Sequence, residues 1–170
     1  MSGSTVPTNH DASRDRAERR ASDLDEAAVM NRSGSSRPTV VFLCVQNAGR
    51  SQMAAGFMRQ LARGRVDVFS GGSEPADEVN PLAVAVMAER GIDVGAERPR
   101  PWTIETLAAA DVIVTMGCGD ACPVLPGKRY IDWEIDDPAG QPIEKVRAIR
   151  DEIERRVTAL LADLLRNEVS

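Results

Sequence analysis

The sequence predicts a small parallel α/β sheet flanked by helices, and three observations predict it. From Pro38 onward, short β-branched apolar runs alternate with stretches of helical periodicity. The first run, Thr39 to Val45 (TVVFLCV), lacks the polar alternation of a half-exposed strand and reads as one covered on both faces. Strand, helix and strand units joined by right-handed crossovers then generate a parallel sheet. The 170 residues suffice for one such domain and a tail.

Residues 1 to 37 form that tail. Ser, Asp, Arg and Asn dominate it, and its apolar residues are too scattered to build a core, so it is expected to be disordered or partly helical. Arg14 to Met30 is the helical candidate, because Ala, Glu and Arg favour helix. Across residues 1 to 37 the six acidic and six basic residues cancel, so the tail is no charged arm. The domain is assigned to residues 38 to 170.

Each element follows from local signals. After the first strand a glycine-containing loop feeds Ser51 to Arg63, where Met53, Phe57 and Leu61 recur at helical spacing and pack as core. Ala62, Arg63 and Gly64 end that helix, and Val66 to Ser70 is the second strand. Asn80 before Pro81 is a capping residue ahead of a first-turn proline, opening a helix through Arg90 that Gly91 closes. A short helix over Thr103 to Ala110 precedes a third strand, Asp111 to Met116, which runs into a loop or helical turn from Gly117 to Pro123. Lys128 to Trp133 is the fourth strand candidate. Pro142 to Leu165 places Ile143, Val146, Ile149, Ile153, Val157, Leu160 and Leu164 on one face, with Asp151/Arg155 and Glu152/Arg156 as pairs on the other.

Composition excludes several functional classes. At 42% hydrophobic and 28% charged the chain has an ordinary globular make-up, without an apolar run long enough to cross a bilayer. No basic start leads into an apolar segment, so a cytoplasmic location is expected. A net charge of −5 leaves no basic excess for nucleic acid or an anionic membrane. The one histidine, His10, lies in the tail, which removes Ser-His-Asp, Cys-His and histidine-rich zinc chemistry from the domain. Three cysteines are too few and too odd in number for a disulfide scaffold, so each is a buried hydrophobe or a reactive thiol.

Cys44 is the prime reactive candidate. It ends the first strand and is followed by Val45, Gln46, Asn47, Ala48, Gly49, Arg50 and Ser51, a C-x5-R-S loop entering a helix. Ligands of open parallel sheets bind at the carboxyl ends of strands. A loop of this length can curl its backbone N–H groups inward, and the helix adds its free amides and positive dipole end, giving a cradle for a tetrahedral oxyanion. Arg50 offers a planar fork for two oxyanion oxygens. The same field favours thiolate over thiol at Cys44, and Ser51 can donate a hydrogen bond to it. The competing reading makes Cys44 a plain buried strand residue.

Cys118 and Cys122 lie four residues apart, about 6.2 Å between Cα atoms if helical, within the span of a disulfide. Gly117 and Gly119 would ease rearrangement of this segment. Inert packing and half of a metal site are the alternatives, and C-x3-C has no partner ligands in the domain to complete the latter. Asp136, Asp137, Pro138, Ala139 and Gly140 form a turn by their own chemistry. Without histidine, a carboxyl group is the natural acid for a poor leaving group.

Over residues 38 to 165 the sequence resembles the low-molecular-weight protein tyrosine phosphatase family and, within it, the thiol-coupled arsenate reductases. VFLCVQNAGRSQMA at 42 to 55, SGGSEP at 70 to 75, TMGCGDACP at 115 to 123 and DDPAGQP at 136 to 142 carry the resemblance. It implies an open four-stranded parallel sheet flanked by helices. Residues Val45 to Arg50 would hold arsenate, with phosphate or sulfate as analogues, and Asp137, before the proline, would be the general acid in preference to Asp136. The implied relay starts with Cys44 attacking arsenic. It passes through a Cys44–Cys118 disulfide as arsenite leaves, and ends in a Cys118–Cys122 disulfide brought to the surface. No cofactor or metal is implied. An external thiol reductant would reset the enzyme: thioredoxin, or mycothiol with mycoredoxin or a similar glutaredoxin-like protein.

Three features depart from the family pattern. Other relay members space the last two cysteines further apart, and some carry a cysteine where this chain has Gly49. Members with a potassium ion beside the loop use residues matching Asn47 and Ala55. Ala55 has no carboxylate, so that site is not carried over, and Asn47 is expected to order the loop instead. The alternative readings are a low-molecular-weight phosphatase, a single-cysteine reductase using mycothiol or another small thiol, and a non-catalytic redox or oxyanion sensor. Arg98 and Arg100 are candidates for steering anions, and Trp102 and Trp133 for core or site walls.

Overall fold

The computed structural model describes residues 37–118, 122 and 124–168. The expected tail over residues 1 to 36, with its helical candidate at Arg14 to Met30, lies outside the described residues, as does Gly119. Arg37, grouped with the tail by composition, is tied to the domain: its guanidinium donates to Gly64 O at 3.1 Å and approaches Asp67 at 3.6 Å.

Four strands, β1 (Thr39–Cys44), β2 (Asp67–Gly72), β3 (Val112–Thr115) and β4 (Arg129–Asp132), form one open sheet in the order β2-β1-β3-β4, every pair parallel. Helices α1 (Arg50–Ala62), α2 (Pro81–Ala88), α3 (Ile104–Ala109) and α4 (Ile143–Glu168) flank it. The chain steps from β1 outward to β2, then returns across β1 to β3. The strand order therefore reverses between β1 and β3, and the crevice of such a sheet opens beyond their carboxyl ends.

Strand β1 is buried on both faces, and its alternation sorts the core into two clusters. Val40, Phe42 and Cys44 join Met53, Phe57, Val86 and Ile153 under α1, α2 and α4. Val41 and Leu43 join Leu107, Ala110 and Ile113 on the α3 side, where Cys118 and Cys122 also pack. Met53, Met58 and Met87 are fully buried.

The caps follow the sequence signals. Asn80 Oδ1 accepts from the Leu82 N–H at 2.9 Å ahead of α2. The regular turns of α2 end at Ala88, before the expected Arg90, and the chain closes on Gly91 (φ 74°). Gly91 N–H reaches Ala88 O at 3.0 Å and Ile92 N–H reaches Met87 O at 3.1 Å, the two bonds of a Schellman close. Strand β2 runs to Gly72, two residues past its expected end, because Gly71 and Gly72 continue the ladder against Leu43 and Cys44. Among the described residues, no helix is long and apolar enough to cross a membrane.

Candidate active site

The loop from Cys44 to Arg50 spans the carboxyl end of β1 and the start of α1, and its carbonyls are tied into the scaffold. Cys44 O accepts from Ser73 N at 3.4 Å, Val45 O from Glu74 N at 2.8 Å and Gln46 O from Ala76 N at 3.0 Å. Ala48 O accepts from Asn80 N at 2.8 Å and Gly49 O from Met53 N at 3.0 Å, while Asn47 O receives Gln52 Nε2 at 3.0 Å. None of these peptides is cis, and a trans peptide sends its N–H opposite to its C=O. With these carbonyls bonded to the scaffold, trans peptide geometry turns the opposing N–H groups away from those partners, as the Asn47 N–H directed at Cys44 Sγ illustrates. Residues 73 to 80 hold three of these carbonyls and a fourth through Asn80, a role that the SGGSEP motif and the Asn80 cap did not by themselves announce.

The Cys44 thiol is 2% exposed and sits in a ring of donors. Ser51 Oγ lies 2.9 Å from Cys44 Sγ, and the Asn47 N–H points at the sulfur from 3.2 Å. Ser51 Oγ in turn accepts from Asn47 Nδ2 at 2.7 Å, which leaves the hydroxyl hydrogen for the sulfur. Asn47 has φ 50°, a left-handed conformation that asparagine tolerates better than most residues.

Arg50 lines the same small pocket as Cys44. Its guanidinium donates to Ile135 O at 3.1 Å and stands 3.7 Å from Asp137 Oδ2. A Cβ on Gly117 (φ 82°) would fall 2.4 Å from Arg50 Nη1, so this glycine makes room for the guanidinium. That role differs from the mobility expected of Gly117, and it depends on a contact between distant parts of the chain. Gly49 serves similarly: a Cβ there would lie 2.8 Å from Pro138 Cγ. Its absence lets the Asp137-Pro138 turn sit over the loop.

The two candidate acids are now distinct. Asp136 is engaged by Lys145 Nζ at 2.9 Å, and that hydrogen bond holds its carboxyl below the usual carboxylate range. Asp137 accepts from Ala139 N at 3.0 Å and keeps a half-exposed side chain. It lines a small pocket together with Cys44, Gln46, Ala48, Gly49, Arg50, Asn80 and Ala139.

Cys118 and Cys122 are joined in a disulfide with Cα atoms 5.8 Å apart, and Cys44 is free. Each bonded cysteine is only 6% exposed, so this disulfide is covered and not at the surface as expected. The apolar side chains of Val41, Leu43, Leu107, Ala110 and Ile113 account for that burial. Neither cysteine lies in a helix.

Residues 39–170 match the low-molecular-weight phosphotyrosine protein phosphatase family. The chain belongs to that family. A putative arsenate reductase of Halobacterium salinarum is 42% identical over 124 residues, 70% of this chain and 87% of the relative. A glutaredoxin arsenate reductase of Synechocystis is 38% identical over 130 residues, covering 74% of this chain and 97% of the relative. Among solved structures, a thioredoxin-dependent arsenate reductase from Corynebacterium glutamicum superposes with a TM-score of 0.72 at 38% identity, covering 89% of this chain and 74% of that one. The YwlE arginine phosphatase from Geobacillus stearothermophilus gives a TM-score of 0.68 at 28% identity, covering 78% and 96%.

Against the family's open four-stranded sheet, the remaining candidates take structural places in this chain. Arg100 donates its backbone N–H to Asn47 Oδ1 at 3.1 Å, while its guanidinium turns toward Glu97. Arg98 lines a separate pocket of about 480 Å³ with Asp77, Glu78 and Glu97. Neither guanidinium lines the Cys44 pocket. Trp133 packs on Phe42 with ring centroids 5.9 Å apart, and Trp102 packs on the α3-side cluster. Ala55 is fully buried in the core. Among the described residues, no His, Cys, Asp and Glu side chains group as a metal site.

Proposed function

We propose that the protein reduces arsenate to arsenite with electrons from its own thiols. The observation that carries this reading is the Cys118–Cys122 disulfide, formed just beyond β3, while the neighbouring strand β1 ends in free Cys44. A phosphatase needs the one nucleophile and has no use for a redox pair.

In the first step the Cys44 thiolate attacks arsenic inside the curl of N–H groups. Arg50 and the loop amides hold the oxyanion, an arsenate hydroxyl takes a proton from Asp137 and leaves as water, and a sulfur–arsenic bond remains. Ser51 and Asn47 stabilise the thiolate before attack. Next, the Cys118 thiolate attacks the Cys44 sulfur. The electron pair of the sulfur–arsenic bond stays on arsenic, which falls from pentavalent to trivalent and departs as arsenite, leaving a Cys44–Cys118 disulfide. Finally the Cys122 thiolate attacks Cys118, frees Cys44 and leaves Cys118–Cys122 bonded. The thiol state of the structure is the one that ends this cycle. A dithiol reductant of the thioredoxin or glutaredoxin class returns the two electrons, in the cytoplasm.

Arsenite production with thioredoxin and its reductase tests the reading. The parent chain turns over, while Cys44→Ser, Cys118→Ser and Cys122→Ser each lose turnover. Full activity of both Cys118→Ser and Cys122→Ser would overturn the relay. Activity of those two variants that needs mycothiol and mycoredoxin would assign the single-cysteine route instead.

A further inference from the structure

Gln52 carries an arrangement that the chemistry above leaves unused. It stands on the first turn of α1 and is 1% exposed, yet it is polar. Its Nε2 donates to both acceptors of one residue, Asn47 O at 3.0 Å and Asn47 Oδ1 at 3.1 Å. Two acceptors on that side fix which end of the amide faces Asn47. The other end, Oε1, is buried without a hydrogen-bond partner. Burying an amide oxygen unpaired disfavours the fold, and an apolar residue would fill the same helical position without that penalty. The donor end therefore has a purpose that outweighs the cost of the acceptor end.

Asn47 is where that purpose lies. The left-handed backbone at Asn47 aims its N–H at Cys44 Sγ, and its Nδ2 at Ser51 Oγ, which faces the same sulfur. Both pointings require Oδ1 and O to stay on the opposite side, where Gln52 Nε2 and the Arg100 N–H hold them. We propose that Gln52 is a positioning residue for the Cys44 thiolate, acting through Asn47 by clamping it in the conformation that supplies two donors to the sulfur's surroundings. The reductase reading gives this clamp its use, but the clamp itself is measurable without arsenate.

The oxidised protein provides the assay, because with Cys118 and Cys122 bonded Cys44 is the one free thiol of three. Iodoacetamide labelling across pH reads the thiolate directly. Gln52→Met keeps the shape and removes both donors, so labelling at the acid end of the profile slows about tenfold, the size of one lost hydrogen bond. In an Asn47→Ala background the same change has no further effect. Gln52→Leu repeats the measurement should the Met variant fail to fold, with folding followed by thermal melting. A labelling profile that superimposes on the parent's, or full additivity with Asn47→Ala, would overturn the clamp even if turnover fell. Normal clamp behaviour with no arsenite formed by the reduced parent would sink the reductase reading and leave the clamp standing.

Discussion

On the α1, α2 and α4 side of the sheet, Cys44 ends a strand packed among Val40, Phe42 and Met53, and its sulfur meets the polar groups of Asn47 and Ser51. On the α3 side, Cys118 and Cys122 are bonded to each other among Val41, Leu43, Leu107, Ala110 and Ile113. One thiol is held by directed hydrogen bonds within a loop whose carbonyls are anchored. The other two are held by apolar packing, which has no direction. On the proposed function, the difference fits two tasks on one sheet: directed hydrogen bonds where a tetrahedral anion is to be recognised, and undirected packing where sulfurs are to change partners.

The first way to break this comparison is to disturb the fixed side. Gly117→Ala would push a methyl group into the Arg50 guanidinium and force a left-handed backbone on a side chain. Losing a well-placed oxyanion donor costs roughly 10²–10³ in rate, so kcat/KM for arsenate should fall by about that factor. Phosphate affinity, measured calorimetrically, should fall with it while the Cys118–Cys122 disulfide still forms. Unchanged phosphate binding would show that Arg50 does not hold the anion.

The apolar side is tested by Leu107→Ala, which empties a fully buried position in the cluster that holds the disulfide. Such a truncation costs about 2–5 kcal/mol of stability. Urea denaturation should show that loss, and phosphate binding at the Cys44 loop should be retained, since the two clusters share strand β1 but not its faces. Loss of phosphate binding in the folded variant would show that the two sides are coupled more tightly than this account allows.

The smallest effect concerns Glu89, which belongs to no cysteine's surroundings. The Arg147 hydrogen bond, with help from Arg150 and against the opposing effect of burial, holds the Glu89 carboxyl below its ordinary value near 4.5. A depressed carboxylate stabilises the fold above its unfolded pKa, and that contribution is lost as pH falls through the folded one. Glu89→Gln should therefore melt slightly below the parent at neutral pH. The gap should narrow as pH drops under about 4.5 and then close. A gap that persists at low pH would assign the effect to packing instead of charge.

These contrasts explain what the sequence revealed and what it hid. β1, the N-cap at Asn80 and the long C-terminal helix are written in local signals: β-branched runs, a capping pair and a helical repeat. The C-x5-R-S loop is legible for the same reason, because nucleophile, arginine and hydroxyl are neighbours in the chain. Gly117 was readable only as a flexible residue, since the guanidinium it accommodates is 67 positions away. The resemblance already favours Asp137 over Asp136, and the structure adds a physical distinction, because Lys145 engages the first and leaves the second at the pocket. Burial of the disulfide was invisible because the apolar residues that cover it come from β1, β3 and α3 together. Gln52 gave no signal at all. A glutamine beside Ser51 looks like an ordinary polar helix residue until the left-handed turn at Asn47 places two acceptors against it.

The division of labour between the two faces is tested most directly by a single turnover. Fully reduced protein, freed of small thiols, is mixed with excess arsenate, and arsenite and the thiol state are quantified together. One arsenite per chain is expected, with a Cys118–Cys122 disulfide recovered by peptide mapping and Cys44 still alkylatable. No arsenite in the absence of an added thiol, or a stoichiometric burst that leaves Cys118 and Cys122 reduced, would contradict it.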